Sequence, residues 1–247
     1  MRIKRRIVNK GFLIALILIM QSLSDSGRAG ADRPKALTGD WPDERAAMLA
    51  TLRVYGVRDE RVLAAMSKVR RHFFIPEAMR SRDEAYGDHP CPIGYGQTIS
   101  QPYIVAYMTE KINPQPGDKI LEIGTGSGYQ AAVLAECGAD VYSIEIIPEL
   151  AVHARAVLVN EGYGKVHVLT GDGYKGWPEH APFDAIIATC APEDVPPALV
   201  AQLKDGGRMI LPVGGIGYQR LVVLRKKAGK IVQEDDLPVR FVPMVKP

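Results

Sequence analysis

The chain has 247 residues, of which 47% are hydrophobic and 24% are charged, values typical of a globular protein that buries a full core. This length fits one moderately large domain, and the absence of a repeat at a period of about 20–50 residues disfavours a solenoid. The net charge is +3, but residues 1–31 carry +5, so the rest of the chain carries −2 and does not favour a nucleic-acid partner.

The first 31 residues have the layout of a secretory signal peptide. Basic residues open the chain, Phe12–Met20 is an uninterrupted apolar run, and Ala29-Gly30-Ala31 resembles a cleavage site. The run is shorter than the roughly 20 residues that span a membrane. We therefore predict a signal peptide over residues 1–31, a periplasmic or secreted product, and no stable membrane association after cleavage. If the segment is not used, the protein would stay in the cytoplasm.

The rest of the chain is predicted to form one domain behind a linker. Residues 32–41 are polar with Pro and Gly, which is typical of a linker. The domain then covers residues 42–247. Its N-terminal part, residues 42–112, is a helical and loop region, and residues 113–247 form the core that is expected to bind a ligand.

Apolar residues at helical spacing predict three helices in the N-terminal part of the domain. The predicted helices are Pro42–Tyr55, Asp59–Phe73 and Gln101–Ile112. Residues 75–99 are rich in Pro and Gly and show no periodicity, so no helix or strand is predicted there.

From Lys119 onward, short apolar runs alternate with helical patterns. Such alternation predicts right-handed βαβ units and an α/β fold with a doubly wound, mostly parallel sheet. The predicted strands are 119–123, 140–145, 165–169, 184–188 and 207–212, and the predicted helices are 128–137, 148–161 and 195–203. A β-hairpin of residues 219–225 and 230–233 is predicted to close the domain.

A glycine-rich turn, ILEIGTGSG, follows the first of these strands and opens a helix. In an α/β sheet this is the place where nucleotide-like ligands bind. The glycines are Gly124, Gly126 and Gly128, whereas the dinucleotide fingerprint G-x-G-x-x-G requires a glycine at the position of Tyr129. The pattern therefore disfavours a nicotinamide oxidoreductase.

Acidic residues stand at the ends of three successive strands. Glu122 precedes the glycine turn, where a carboxylate would repel a pyrophosphate and attract an ammonium group. Glu145 ends the next strand, where a carboxylate can accept hydrogen bonds from both ribose hydroxyls. Asp172, followed by Gly173, could accept from an adenine amine. Together these residues describe a site for S-adenosylmethionine; the alternative is that the three carboxylates are solvated strand ends.

Cysteine and histidine give no sign of a metal site. Cys91, Cys137 and Cys190 are widely spaced and form no C-x-x-C motif, and no two of the five histidines have the spacing of metal ligands. We expect isolated cysteines of this kind to be buried as small apolar side chains. No metal is therefore predicted.

With these residues in place, the chain resembles the protein-L-isoaspartate (D-aspartate) O-methyltransferases, a family of class I S-adenosylmethionine-dependent methyltransferases with a Rossmann-like fold. The resemblance runs from about Val62 to Val242. The matching segments are ILEIGTGSGYQAAVLA, TGDG, PFDAII, LKDGGRMILPVG, VRFVPMV and, most specific to the family, PIGYGQTISQP at Pro92–Pro102.

The resemblance implies a reaction and a set of partners. The family transfers a methyl group from S-adenosylmethionine to the free α-carboxylate of L-isoaspartyl residues in damaged proteins and peptides. The ester then closes to a succinimide, which hydrolyses partly to normal aspartate. The resemblance also implies a monomer. Because the substrate brings its own nucleophile, the lack of a base or thiol in GYGQTISQP is expected for this reaction.

The resemblance also assigns roles within PIGYGQTISQP. Ser100 matches the active-site serine of the family, and we expect it to position the substrate carboxylate. Thr98 and Ile99 are expected to contact the substrate, with Gln97 orienting the loop. Serine before Gln101-Pro102 is also a strong helix-cap signal, and both roles can hold together. Asp88, in the preceding loop, is expected to be structural.

Two alternatives stay open at this point. A methyltransferase of the same fold could act on another carboxylate or on a small molecule. A non-catalytic exported homologue is the other alternative, because S-adenosylmethionine is made in the cytosol. A serine hydrolase is excluded, since no G-x-S-x-G elbow surrounds Ser100.

Overall fold

The computed structural model describes residues 39–215 and 217–247. The predicted signal peptide and residues 32–38 of the predicted linker lie outside the described residues. Trp41, the last residue of that linker, is only 1% exposed and stacks on His72 with ring centroids 4.3 Å apart. The packed domain therefore includes Trp41 and begins earlier than the predicted boundary at Pro42.

A seven-stranded sheet forms the centre of the domain, with strand order β5-β4-β3-β6-β7-β8-β9. The strands from β3 to β7 run parallel, and β8 and β9 are antiparallel. The bounds are β3 Lys119–Ile123, β4 Asp140–Glu145, β5 His167–Thr170, β6 Phe183–Ala188, β7 Leu203–Val213, β8 Gln219–Lys227 and β9 Lys230–Val239. The predicted doubly wound, mostly parallel sheet with a C-terminal hairpin is confirmed.

Helices cover both faces of this sheet. Neighbouring residues of a strand point to opposite faces, so Ile120 belongs to one apolar cluster and Leu121 to the other. The helices are α1 Pro42–Val54, α2 Glu60–Lys68, α3 Arg82–Ala85, α4 Pro102–Ile112, α5 Tyr129–Glu136, α6 Pro148–Asn160 and α7 Pro197–Gln202. No helix among the described residues is both long and apolar enough to cross a membrane.

The second predicted helix ends earlier than its pattern indicated. The prediction extended to Phe73, but α2 ends at Lys68 because the backbone becomes extended at Val69, with ψ of 117°. A 3₁₀ turn at Arg71–Phe74 then continues the spacing of apolar residues. Val69 and Phe74 are buried, whereas Phe73, where the predicted helix ended, is half-buried.

Residues 91–99 form a two-stranded hairpin that the sequence did not predict. Strand β1, Cys91–Gly94, pairs antiparallel with β2, Gln97–Ile99, outside the central sheet. These strands are four and three residues long and contain Pro92, so they lack a readable alternation. The hairpin leads directly into α4.

Candidate active site

One cleft lies at the carboxyl ends of β3, β4 and β6 and has a volume of about 1040 Å³, counted to its open mouth. Its walls come from the glycine turn after β3, the end of β4, residues 97–100, the first two turns of α4, and the C-terminal segment Val242–Val245. The carboxyl edge of a parallel sheet is the expected ligand site of a doubly wound fold.

Gly124 and Gly126 line the cleft and bring its backbone close to any bound ligand. Gly124 has φ of +94°, and a Cβ atom there would lie 2.5 Å from Oγ1 of Thr189. The Gly126 amide donates to Oε2 of Glu145 over 2.7 Å. The turn therefore requires glycine at both positions, because both have a left-handed φ. At Gly124 there is also no space for a side chain.

Gly128, the third predicted cofactor residue of the turn, is not among the residues that line the cleft. It precedes the first residue of α5 with φ of +88°. A Cβ atom at this position would lie 3.2 Å from Cγ of Leu158 in α6. The lack of a side chain at Gly128 thus lets α5 and α6 pack closely.

Glu145 lines the cleft where β4 ends and is only 5% exposed. Its Oε2 atom accepts the amide of Gly126, and its Oε1 atom accepts the amide of Ile147 over 3.0 Å. Since each carboxylate oxygen has two lone pairs, both oxygens can accept another donor from a ligand. The two backbone bonds fix the direction of the carboxylate.

Glu122 is fully buried beneath the cleft. Its Oε2 atom accepts a short hydrogen bond from the Ser143 hydroxyl, and its Oε1 atom has no hydrogen-bond partner. Burial, with a contribution from the negative charge of Glu145, raises the pKa of Glu122 to about 8, although the Ser143 hydrogen bond acts in the opposite direction. An unpartnered buried carboxylate oxygen beside a ligand cleft fits a ligand that brings a cationic donor.

Gly173 lines the cleft, whereas Asp172 stands beside it and is not a lining residue. The Asp172 carboxylate accepts the amide of Tyr174 over 2.9 Å and so begins a short 3₁₀ turn. A Cβ atom at Gly173 would clash with Ile123 and lie 3.1 Å from Cε of Met244. Gly173 thus allows the C-terminal segment to pack against β3.

All four residues predicted to handle the substrate line the cleft: Gln97, Thr98, Ile99 and Ser100. Ile99 is buried, and Thr98 is exposed. The hairpin therefore brings these residues to the same cleft as the glycine turn and the two buried glutamates.

The predicted helix cap at Ser100 is wrong. Helix α4 begins at Pro102, so Gln101 holds the capping position and makes no side-chain cap. The carboxylate of Asp88 caps the helix instead: its Oδ1 atom accepts the Tyr103 amide over 2.7 Å, and its Oδ2 atom accepts from Nε2 of Gln101 over 3.1 Å. Ser100 therefore lines the cleft and does not cap the helix.

Cys190, which was not among the predicted site residues, also lines the cleft. Burial raises the pKa of the Cys190 thiol to about 12, which keeps it protonated at neutral pH. Its position could have been found from the sequence, because it follows β6 at the carboxyl edge of the sheet. All three cysteines are free, and no cluster of His, Cys, Asp and Glu within 39–215 and 217–247 could hold a metal ion.

The C-terminal segment is another part of the cleft that the prediction of site residues missed. Ala191 pairs with this segment, donating its amide to the Val242 carbonyl and accepting the Met244 amide over 2.8 and 2.7 Å. The Tyr174 hydroxyl donates to the Met244 carbonyl over 3.1 Å. These contacts join residues more than 50 positions apart, which local patterns do not reveal.

Comparisons with known proteins give consistent results. The protein-L-isoaspartate(D-aspartate) O-methyltransferase family matches residues 43–247. A protein-L-isoaspartate O-methyltransferase of Gloeobacter violaceus is 56% identical over 196 residues, which cover 79% of this chain and 95% of the relative.

Two solved structures have a similar fold. One protein-L-isoaspartate O-methyltransferase matches with a TM-score of 0.75 at 29% identity; the match covers 82% of this chain and 66% of the solved chain, about two thirds of its length. The other, a putative protein-L-isoaspartate O-methyltransferase from Plasmodium falciparum in complex with S-adenosyl-L-homocysteine, matches with a TM-score of 0.73 at 26% identity. That match covers 82% of this chain and 99% of the solved chain.

Proposed function

The chain belongs to the protein-L-isoaspartate(D-aspartate) O-methyltransferase family, and from this membership we propose that Ser100 and the loop before it hold the substrate carboxylate in the cleft. The enzyme transfers methyl from S-adenosylmethionine to the free α-carboxylate of L-isoaspartyl residues in damaged proteins and peptides, which initiates their repair. The observation that carries the proposal is that Gln97 to Ser100 line the same cleft as Gly124, Gly126 and Glu145.

The proposed cofactor residues are Glu122, Gly124, Gly126, Glu145 and Gly173, with Gly128 and Asp172 acting from beside the cleft. S-adenosylmethionine supplies an activated methyl group on a sulfonium and carries an ammonium and a ribose but no phosphate. The unpartnered Oε1 atom of Glu122 suits the ammonium. Glu145 suits the ribose hydroxyls, because its carboxylate is held in place by backbone amides and can still accept.

Catalysis in this cleft requires positioning more than proton transfer. An isoaspartyl carboxylate is ionised at neutral pH, so it needs no general base. In this proposal the Ser100 hydroxyl donates a hydrogen bond to that carboxylate and fixes its direction of attack, and such orientation can supply several kcal/mol. The Cys190 thiol does not compete as a nucleophile, because its raised pKa keeps it protonated.

The Ser100→Ala variant tests the proposed role. We expect its kcat/KM for an isoaspartyl peptide to fall about 10- to 100-fold, as for loss of one positioning hydrogen bond, with an unchanged Kd for S-adenosylhomocysteine. Glu145→Ala is the contrasting variant, because it should weaken cofactor binding. Calorimetry for Kd and an assay of methyl transfer measure both quantities.

Two results would count against these assignments. If Ser100→Ala lost cofactor binding with the fold intact, its role would lie with the cofactor; if Glu145→Ala bound the cofactor normally, the ribose assignment would be wrong. The matched peptide with normal aspartate should not be methylated by the native protein. Equal methylation of the two peptides would favour a methyltransferase with another substrate.

We also propose that the protein is a monomer that is exported by its N-terminal segment and does not remain on the membrane. Export is supported by the basic start, the apolar run and the small-residue site within residues 1–31. The monomer is proposed from the resemblance to the family. Cell fractionation with a methyl-transfer assay on each fraction tests the location. Activity confined to the cytoplasmic fraction would contradict export, and light scattering of the purified protein would test the monomer.

A further inference from the structure

Tyr95 occupies an unusual position at the tip of the β1–β2 hairpin. Gly94 pairs with Gln97, which leaves Tyr95 and Gly96 as the two residues of the turn. Their φ values are +54° and +70°, and a two-residue hairpin turn with positive φ at both positions is of type I′. Such turns favour Asn, Asp or Gly, because a larger side chain is strained in the left-handed region.

Packing within the domain does not explain why a tyrosine stands there. The Tyr95 side chain is 60% exposed. A Cβ atom added at Gly94 or Gly96, on either side of it, would meet nothing within 4 Å, so the tip of the hairpin stands in open space. A strained residue whose side chain gains little burial is a sign of function, because folding alone would favour another residue at this position.

The hairpin places Tyr95 beside the proposed substrate site. Gln97 lines the cleft and donates from Nε2 to the Tyr95 carbonyl over 3.3 Å. The chain then runs extended through Thr98 and Ile99 to Ser100, a distance of about 10 Å at the usual rise of a strand. A polypeptide whose isoaspartyl carboxylate reaches Ser100 would therefore bring its neighbouring residues within reach of Tyr95.

We propose that Tyr95 is a specificity-determining residue that contacts a side chain flanking the isoaspartyl residue and favours an aromatic side chain there. This inference rests on the proposed placement of the substrate carboxylate at Ser100. A tyrosine suits the role, because its ring offers a large contact area and loses little conformational entropy on binding. Aromatic pairs also gain energy beyond the area they bury, whereas a flanking glycine offers no partner to the ring.

The test compares two isoaspartyl peptides that differ only in the flanking residues, which are phenylalanine in one and glycine in the other. The native protein should prefer the phenylalanine peptide. Asn suits a type I′ turn, so Tyr95→Asn should keep the hairpin. In this variant the ratio of kcat/KM for the phenylalanine peptide to kcat/KM for the glycine peptide should fall about fivefold to tenfold, because KM for the phenylalanine peptide rises while kcat stays unchanged. Tyr95→Phe keeps the ring and should retain the preference.

Tyr55→Asn serves as the matched control, since Tyr55 is 53% exposed and is not among the residues lining the cleft. It should leave the preference unchanged. If Tyr95→Asn and the native protein show the same preference, or if the variant loses kcat equally on both peptides, the inference about Tyr95 is overturned. If the native protein methylates neither peptide, the proposed function fails instead, so the two failures are distinguishable.

Discussion

Glu122 combines complete burial with a carboxylate oxygen that has no partner, and this combination makes the stability of the protein depend on pH. Its pKa is raised to about 8 in the folded protein, against an ordinary value of 4.5. Below pH 4.5 the group is protonated in both states, so it adds no pH dependence there. Between these two pH values the unfolded chain ionises while the folded chain stays protonated, so the free energy of unfolding falls as the pH rises.

We therefore predict that Glu122→Gln removes this pH dependence. The difference between the Tm of the variant and the Tm of the native protein should increase from pH 5 to pH 8. Each kcal/mol of stability corresponds to about 2–4 °C in Tm. The cofactor affinity should fall, because a bound ammonium group favours the ionised form of Glu122 and pairs with it, whereas the amide of Gln cannot ionise. Thermal unfolding at a series of pH values, with the exposed Glu179→Gln as control, measures the effect. Parallel Tm curves for Glu122→Gln and the native protein would contradict the prediction.

At the residue scale, Glu122, Gly124 and Glu145 were predicted from the rule that ligands bind at the carboxyl edge of a parallel sheet, and all three line the cleft. This rule did not separate Gly126, which lines the cleft, from Gly128, which packs against Leu158. Both are glycines with positive φ, and their different surroundings depend on helix α6, which lies about 20 residues further along the chain.

At the scale of elements, the cap of α4 determines where Ser100 stands. Asp88 holds the start of this helix through the Tyr103 amide, although the two residues are 15 positions apart. The same carboxylate accepts from the Gln101 side chain, next to Ser100. Loss of this cap should therefore disturb both the helix and the adjoining wall of the cleft.

We predict that Asp88→Ala lowers the free energy of unfolding by about 0.5–2 kcal/mol, the usual cost of a lost helix cap, and also lowers kcat/KM. Asp59→Ala is the matched control, because Asp59 caps α2 by accepting the Arg61 amide over 2.8 Å and does not line the cleft. It should lose similar stability and keep its kcat/KM. Denaturant unfolding and methyl-transfer kinetics provide the two readouts. Equal kinetic effects in both variants would show that Asp88 acts through stability alone.

The predicted elements were most accurate in the parallel sheet. Buried strands there are continuous apolar runs, so β3 and β4 were predicted with their observed bounds. Strand β9 was predicted only to residue 233 but extends to Val239. Among residues 39–215 and 217–247 it is an edge strand that pairs with β8 alone, and its backbone hydrogen bonds do not require apolar side chains. Because residues 234–236 are charged, the apolar pattern did not predict the second half of this strand.

At the scale of the whole molecule, the cleft joins parts of the chain that are distant in sequence. Gln219, at the start of β8, holds the C-terminal segment by accepting the Phe241 amide over 2.6 Å and donating to the Phe241 carbonyl over 3.1 Å. That segment then forms one wall of the cleft at Val242–Val245. A ligand bound in the cleft should therefore stabilise the whole domain.

We predict that S-adenosylhomocysteine at 100 times its Kd stabilises the native protein by about 2.7 kcal/mol and raises its Tm by roughly 5–11 °C. In Gln219→Ala the same ligand concentration should give a smaller rise, because the segment that forms the wall is held less firmly. Thermal unfolding with and without ligand measures both shifts. If the ligand-induced rise is the same in both proteins, the Gln219 contact does not support the ligand site.

The position of the C-terminal segment has a practical consequence for handling the protein. Val245 lies in the wall of the cleft, only two residues before Pro247. An affinity tag fused after Pro247 would start two residues from this wall, where a bulky or charged sequence could obstruct an incoming polypeptide. For assays of activity, a tag at the other end of the folded domain, ahead of Trp41, is the better choice.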